Sequence, residues 1–214
     1  MNKSIAVFGI GRFGKSLALR LADMGVDVMV VDNNPEDIEK IADKVTYAIE
    51  ANLTDADAIQ ALGLDDIDTV VVAMGSDLQA SIMSVMVAKE MGVPYVMAKA
   101  SDERMGAILT KVGADKIIYP EEESGFRTAR VLASESFIDY FDIAGTLCVL
   151  EMKPKPEWIG KNLIELNLRG NYKMNVIAIK DKRGTSSSID PNKPLDADAE
   201  LFVVVDKKDL HNIR

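Results

Sequence analysis

Cysteine occurs once in the chain, at Cys148, and histidine once, at His211. A single cysteine excludes an intramolecular disulfide framework and suits a reducing compartment. With so few thiols and imidazoles there is no metal-ligand spacing of Cys or His, and the usual acid–base residues of catalysis are missing. Long apolar runs are absent too: none approaches the ~18–20 residues that span a bilayer. No cationic stretch followed by an apolar core opens the chain, so no secretory leader is expected. Positive charge is also in short supply, since 25 Lys and Arg against 34 Asp and Glu give a formal net charge of −9. Such a balance disfavours nonspecific binding to nucleic acid or to an anionic membrane surface. The expectation is a soluble protein whose role at a membrane, if it has one, comes through a partner.

What is present suffices for real cores, because 48% of the 214 residues are hydrophobic. That length suits one medium and one small domain. Up to residue 120, β-branched runs at 5–8, 28–31, 45–49, 69–73, 95–98 and 116–119 alternate with helical patterns at 15–24, 35–43, 55–62, 77–91 and 103–112. Six strands joined by helices predict an α/β fold with a doubly wound, Rossmann-like parallel sheet and helices on both faces. Gly25, Gly63, Gly92 and Gly113 follow four of the helical patterns, where C-terminal caps belong.

Beyond residue 120 the pattern changes. The stretch "EEESGFRTARVLASESFIDYFDIAG" reads as one long helix over 121–141, carrying Phe126, Val131, Phe137, Tyr140 and Phe141. These are too many for one narrow stripe, which leaves a helix packed on its own sheet or a helix shared between subunits. After Gly145, strands are expected at 146–152, 175–180 and 201–205, with a short helix near Leu163 and a short strand at 187–189. The domain boundary is placed near 142, giving domains 1–142 and 143–214, the second a small α+β lobe.

The chemistry concentrates in "GIGRFG". Gly9, Gly11 and Gly14 follow a predicted strand and open a predicted helix, and the next strand ends on Asp32. That context is what a dinucleotide-binding turn requires. Gly9 permits the tight turn, Gly11 lets a pyrophosphate approach the backbone, and Gly14 lets the helix pack on the strand. Free N–H groups at the helix start attract phosphate. Asp32 would accept hydrogen bonds from both ribose hydroxyls and repel a 2′-phosphate. Arg12, within the turn, suits bidentate contact with phosphate oxygens; as a bare cation it sits slightly against the helix dipole. Tyr95 and Lys99 have the Tyr-x-x-x-Lys spacing of short-chain dehydrogenases, but the segment reads as a strand, so the match is expected to be accidental. Lys99 nonetheless ends a strand where ligands bind in such sheets. Glu121, Glu122 and Glu123 most simply start a helix, although one of them could share a divalent cation with bound phosphates. Cys148 lies in an apolar strand pattern, as a buried structural thiol does.

Taken in order, "AVFGIGRFGKSLALRLADMGVDVMVVDNNPE", "ANLTD", "VVVAMGSDLQASIMSVMVAKEMGVP", "AKA" and "KVGADKIIYPEEESG" resemble the RCK domain of Ktr/Trk potassium-uptake regulators. The tail "LRGNYKMNVIAIKDKRG…PLDADAELFVVVDKKDL" resembles the C-terminal lobe of the same proteins, more loosely around Ser186–Ser188. The resemblance implies a cytoplasmic gating subunit, with dimers in an octameric ring beneath a potassium-translocating membrane protein. It implies a site for ATP, ADP or NAD(H) built from Gly9, Gly11, Arg12, Phe13 and Gly14 at the phosphates. Asp32 and Asn34 would serve the ribose and Asn52 with Leu53 the adenine, while Asn33, Ala73, Met74, Gly75 and Lys99 complete the lining. Glu121 takes the place of the family carboxylate that binds Mg²⁺ or Ca²⁺ at the dimer interface, and the helix after it matches the family's crossover helix. Arg169, Asn175 and Val176 fall where some relatives bind cyclic di-AMP in the C-terminal lobe, the alternative being a lobe that only dimerises.

The leading expectation is therefore a nucleotide-responsive regulator of a potassium channel or transporter that binds without turnover. A small NAD(H)-dependent oxidoreductase is the alternative, and needs an acid–base residue that the sequence does not offer. A redox-sensing repressor would need a DNA-reading element, and none is recognisable in this acidic chain.

Overall fold

Runs rich in valine and isoleucine form the six parallel strands β1 (Ser4–Phe8), β2 (Asp27–Asp32), β3 (Tyr47–Glu50), β4 (Thr69–Val72), β5 (Tyr95–Lys99) and β6 (Lys116–Ile118). They are seen in a computed structural model that describes residues 3–213. The strand order is β3-β2-β1-β4-β5-β6, so the winding reverses between β1 and β4. Between the strands run α1 (Arg12–Asp23), α2 (Pro35–Glu39), α3 (Ala56–Gln60), α4 (Leu78–Glu90) and α5 (Glu103–Val112).

Strand alternation divides the core. On β1, Ile5 and Val7 pack with Ala18 of α1 and with Ile41, while Ala6 and Phe8 face Ile59, Val85 and Leu109 of α3, α4 and α5. Helices thus cover both faces, as expected of a parallel sheet. Gly25, Gly63, Gly92 and Gly113 all adopt positive φ after their helices.

The helix starts differ in one respect that matters for the site. Asn34, Asp55, Asp77 and Asp102 cap α2 to α5, each accepting a hydrogen bond from a backbone N–H of its helix. The cap of α1 is Gly11, which has no side chain to offer.

A second compact unit begins at Glu122. It contains all but the first two residues of α6 (Pro120–Leu132), then β7 (Phe137–Ala144), β8 (Leu147–Met152), α7 (Leu163–Leu166), α8 (Leu168–Tyr172), β9 (Asn175–Asp181), β10 (Gly184–Ser186) and β11 (Glu200–Asp206). The five strands form a sheet in the order β10-β9-β11-β8-β7, with every pairing antiparallel. Its core gathers Tyr140, Cys148, Leu150, Met152, Trp158, Leu201 and Val203.

Three expectations are corrected here. The helix expected over 121–141 ends at Leu132, and its aromatic tail is β7. Phe137 and Tyr140 leave the helical pattern because the sheet core buries them, at 6% and 2% exposure. The boundary expected near 142 accordingly falls inside β7, and the compact units divide at Glu121 instead. The short strand expected at 187–189 lies at Gly184–Ser186. The tight turn at Lys182 and Arg183 returns the chain at once, pairing Gly184 with Asp181.

The remaining helix, α6, buries none of its residues; Phe126 and Leu132 stand 44% and 81% exposed. Among the described residues no helix is long and apolar enough to cross a membrane.

Candidate functional site

The carboxyl ends of β1, β2, β4 and β5 open onto one cavity of about 570 Å³. The turn after β1 shapes its floor. Gly9 has φ +86 and donates its N–H to Val31 O at 2.8 Å; a Cβ there would lie 2.4 Å from Met74 Cγ. Glycine is required on both counts. The Ile10 N–H donates to Asp32 Oδ2 at 2.7 Å, and the Asn34 N–H donates to Oδ1 at 2.9 Å. These bonds fix the Asp32 carboxylate beside the turn. Each of its oxygens keeps a further lone pair for a hydroxyl donor.

Gly14 is the glycine of close packing. A Cβ on it would meet Gly9 O at 1.9 Å, so α1 rests directly on the turn. A Cβ on Gly11 meets nothing within 4 Å, which leaves the turn's backbone open to the cavity. The first N–H groups of α1 have no carbonyl of their own helix to bond and no capping side chain. With the helix dipole behind them, they make a place for a phosphate-sized anion. Arg12 is exposed at the same end and forms no ion pair among the described residues. A cavity of this volume, floored by uncapped N–H groups and flanked by a fixed carboxylate, fits a nucleotide.

The opposite wall carries an ion pair. Lys99 Nζ lies 2.5 Å from Glu121 Oε1, and its hydrogen bond holds the Glu121 carboxyl below the usual glutamate range. The Lys99 side chain is only 14% exposed and lies over Gly75, where a Cβ would be 2.9 Å from its Cε. Its ammonium also stands 5.9 Å from the Phe13 ring centroid.

The TrkA-N domain profile matches residues 5–120 and the TrkA-C domain profile matches residues 149–214. Ktr system potassium uptake protein A of Bacillus subtilis is 33% identical over 209 residues, covering 98% of this chain and 94% of that protein. The chain belongs to the TrkA-N/TrkA-C family of Ktr-type potassium uptake proteins. Ktr system potassium uptake protein C of the same organism is 34% identical, over 89% of this chain and 86% of its own. Among solved structures, the GsuK RCK domain aligns with a TM-score of 0.69 at 16% identity, covering all of this chain and 47% of its own. The GsuK channel bound to NAD gives 0.68 at 15% identity, over all of this chain and 39% of its own. These two show that the fold is shared, and this chain spans less than half of each.

Within this TrkA-N domain, the structure brings most of the expected residues to the cavity: Gly9, Gly11, Arg12, Phe13, Asp32, Asn33, Asn52, Leu53, Ala73, Met74, Gly75, Lys99 and Glu121 all line it. Two do not. Gly14 is buried beneath the turn, and the Asn34 side chain is used in capping α2, accepting from the Glu36 N–H at 3.0 Å. Thr54, Ser76, Asp77, Ala80 and Ser101 line the cavity as well, unforeseen from the sequence. Ser76, Asp77 and Ser101 lie in loops just after β4 and β5, a position that marks ligand sites in open parallel sheets. Tyr95 and Lys99 sit at opposite ends of β5, which removes the dehydrogenase pair.

Elsewhere the expected groups are scattered. Glu121 has an ammonium as its neighbour, and no group of three or more His, Cys, Asp or Glu suited to a metal exists among the described residues. As a cation ligand it offers one carboxylate. In the TrkA-C lobe, Arg169 is exposed on α8, while Asn175 and Val176 begin β9. None of the three lines the lobe's cavity of about 200 Å³. Cys148 is buried against β11, and His211 Nδ1 is 2.6 Å from Lys208 O.

Proposed function

We propose that this protein is the nucleotide-sensing regulatory subunit of a potassium channel or transporter. It binds ATP, ADP or NAD(H) in the TrkA-N cavity without turning it over. The observation that carries this reading is the uncapped start of α1 on its glycine turn, facing the cavity that Asp32 flanks. The names of the Ktr relatives supply potassium uptake, and NAD and ADP are bound by GsuK, whose fold this chain shares. In this reading the protein works on the cytoplasmic side of the membrane through a potassium-translocating partner. A bound nucleotide acts by its unequal affinity for two conformations of the assembly. The unburied α6, with Phe126 and Leu132 exposed, supports a helix shared in a dimer, the unit of an octameric ring. Glu121 would join bound phosphates in holding Mg²⁺ or Ca²⁺, and Arg169, Asn175 and Val176 would contact cyclic di-AMP in the C-terminal lobe.

The test is a calorimetric titration with ATP, ADP, NADH and NADPH, followed by product analysis after long incubation with ATP and NADH. The regulator reading expects binding of the first three, weaker binding of NADPH opposite Asp32, and no products. Failure of all four to bind, or steady turnover of either ATP or NADH, overturns it.

A further inference from the structure

Lys99 and Glu121 are unequal partners. The lysine stem is pinned over Gly75 and only 14% exposed, whereas the glutamate side chain is 70% exposed and free to swing outward. The ammonium faces the same space as the uncapped start of α1, because it stands 5.9 Å from the ring of Phe13, the second residue of that helix. A ligand whose phosphate sits on the α1 N–H groups therefore shares its cavity with an ammonium already engaged by a carboxylate. A phosphate brings more charge and more acceptor oxygens than a carboxylate, and it arrives with the rest of its ligand bound.

Glu121 is the second residue of α6 and is followed by Glu122 and Glu123. Among the described residues, its bond to Lys99 is the one ion pair those three carboxylates make. Since α6 buries no residue, little else restrains its first turn. Resting on the nucleotide reading above, we propose that Glu121, when no divalent cation bridges it to the ligand, is a built-in competitor for ligand phosphate at Lys99, and that phosphate occupancy then frees the first turn of α6. The pair thereby links the state of the cavity to the segment that leaves it.

The experiment is a cycle of ADP titrations in EDTA with the full chain, comparing wild type, Glu121→Gln, Lys99→Met and the double variant. Removing an exposed competitor is expected to tighten ADP binding about two- to fivefold. In the Lys99→Met background the same change is expected to do nothing, and adenosine, which has no phosphate, is expected to bind wild type and Glu121→Gln alike. Equal tightening with and without Lys99 would mean diffuse repulsion by Glu121 and would overturn the proposal, as would no tightening at all. Hydrogen exchange on wild type gives a measurement free of variants: ADP should speed exchange at amides 124–128 and adenosine should not. Slower exchange there with ADP overturns the proposal even if a variant fails to fold. If ADP does not bind wild type, this inference is overturned, while the nucleotide reading falls only if ATP, NADH and NADPH fail as well; if ADP binds and Glu121→Gln matches wild type, only the competitor role falls.

Discussion

Two glycines of the same turn, Gly11 and Gly14, should fail in opposite ways when each is given one methyl group. At Gly14 the new Cβ lands 1.9 Å from Gly9 O, against the 3.4 Å or more of ordinary contact, so α1 must lift by about 1.5 Å or the turn must deform. Overpacking of this kind costs about 1–3 kcal/mol, and alanine returns up to about 1 kcal/mol of helix propensity. Because the clash is with backbone, the cost falls at the upper end of that range, and a net loss of about 2 kcal/mol is expected. At Gly11 the Cβ meets nothing within 4 Å, and the residue's φ of −59 suits any side chain. Stability should change by less than about 1 kcal/mol, the usual scale of cap effects. The methyl group would instead stand where a pyrophosphate crosses the turn, and a penalty of about 1.4 kcal/mol or more lowers affinity at least tenfold. Urea unfolding followed by far-UV circular dichroism reports both units, while Trp158 fluorescence follows the second unit alone. Calorimetry with ADP completes the comparison. A Gly11→Ala variant that binds ADP like wild type would refute the phosphate path, and a Gly14→Ala variant as stable as wild type would refute the packing argument.

Arg12→Ala should lower ATP affinity about 10- to 100-fold, the worth of one charge-assisted hydrogen bond, and leave ADP within about threefold; equal losses in paired titrations would show that Arg12 only supports the turn. Phe137→Glu, which places a charge in the second core, should destabilise that unit by more than about 3 kcal/mol in Trp158-monitored unfolding. Leu132→Glu should leave the fold intact and dissociate dimers, and a wild type already monomeric at micromolar concentration in light scattering would rule out the shared helix. Asp115 is held below its ordinary 3.8, first by the Val96 N–H and also by Lys89, so its contribution is present above that value and is lost as pH falls through the lower folded one. The acid limb of a stability–pH curve below about pH 4 should therefore flatten in Asp115→Asn; an unchanged limb would assign the loss to other carboxylates.

The first unit was readable because its signals agree with one another. Valine-rich runs, Asx caps and C-terminal glycines mark the same boundaries, and glycine spacing together with Asp32 marks the turn. At β7 the signals conflict. The pairing with β8 shifts register between Phe137 and Asp139, and again between Asp142 and Ala144. The first irregularity places the buried Phe137 and Tyr140 three residues apart, the spacing of a helix face rather than of a strand. The ion pair of Arg127 with Asp139 and the edge contact of Phe126 with Tyr140, ring centroids 5.9 Å apart, also join residues that one continuous helix would hold far apart. The cavity's serines and Thr54 were missed for a different reason. Their residue types are common in loops, and only their place after the strand ends distinguishes them.

The lone thiol gives the second unit an internal clock. Cys148 is fully buried, its Sγ approaches Val205 O at 3.5 Å, and burial pushes the thiol above its usual range. An alkylating reagent needs an exposed thiolate, so in the closed sheet it finds neither exposure nor ionisation. Reaction must wait until β8 and β11 separate, and its rate then measures how often that separation occurs. Because no second cysteine competes for reagent, each labelled molecule records one opening of this lobe. A ligand or partner that clamps the lobe would slow the labelling, while one seated only on the nucleotide unit, without coupling to the lobe, would leave it unchanged.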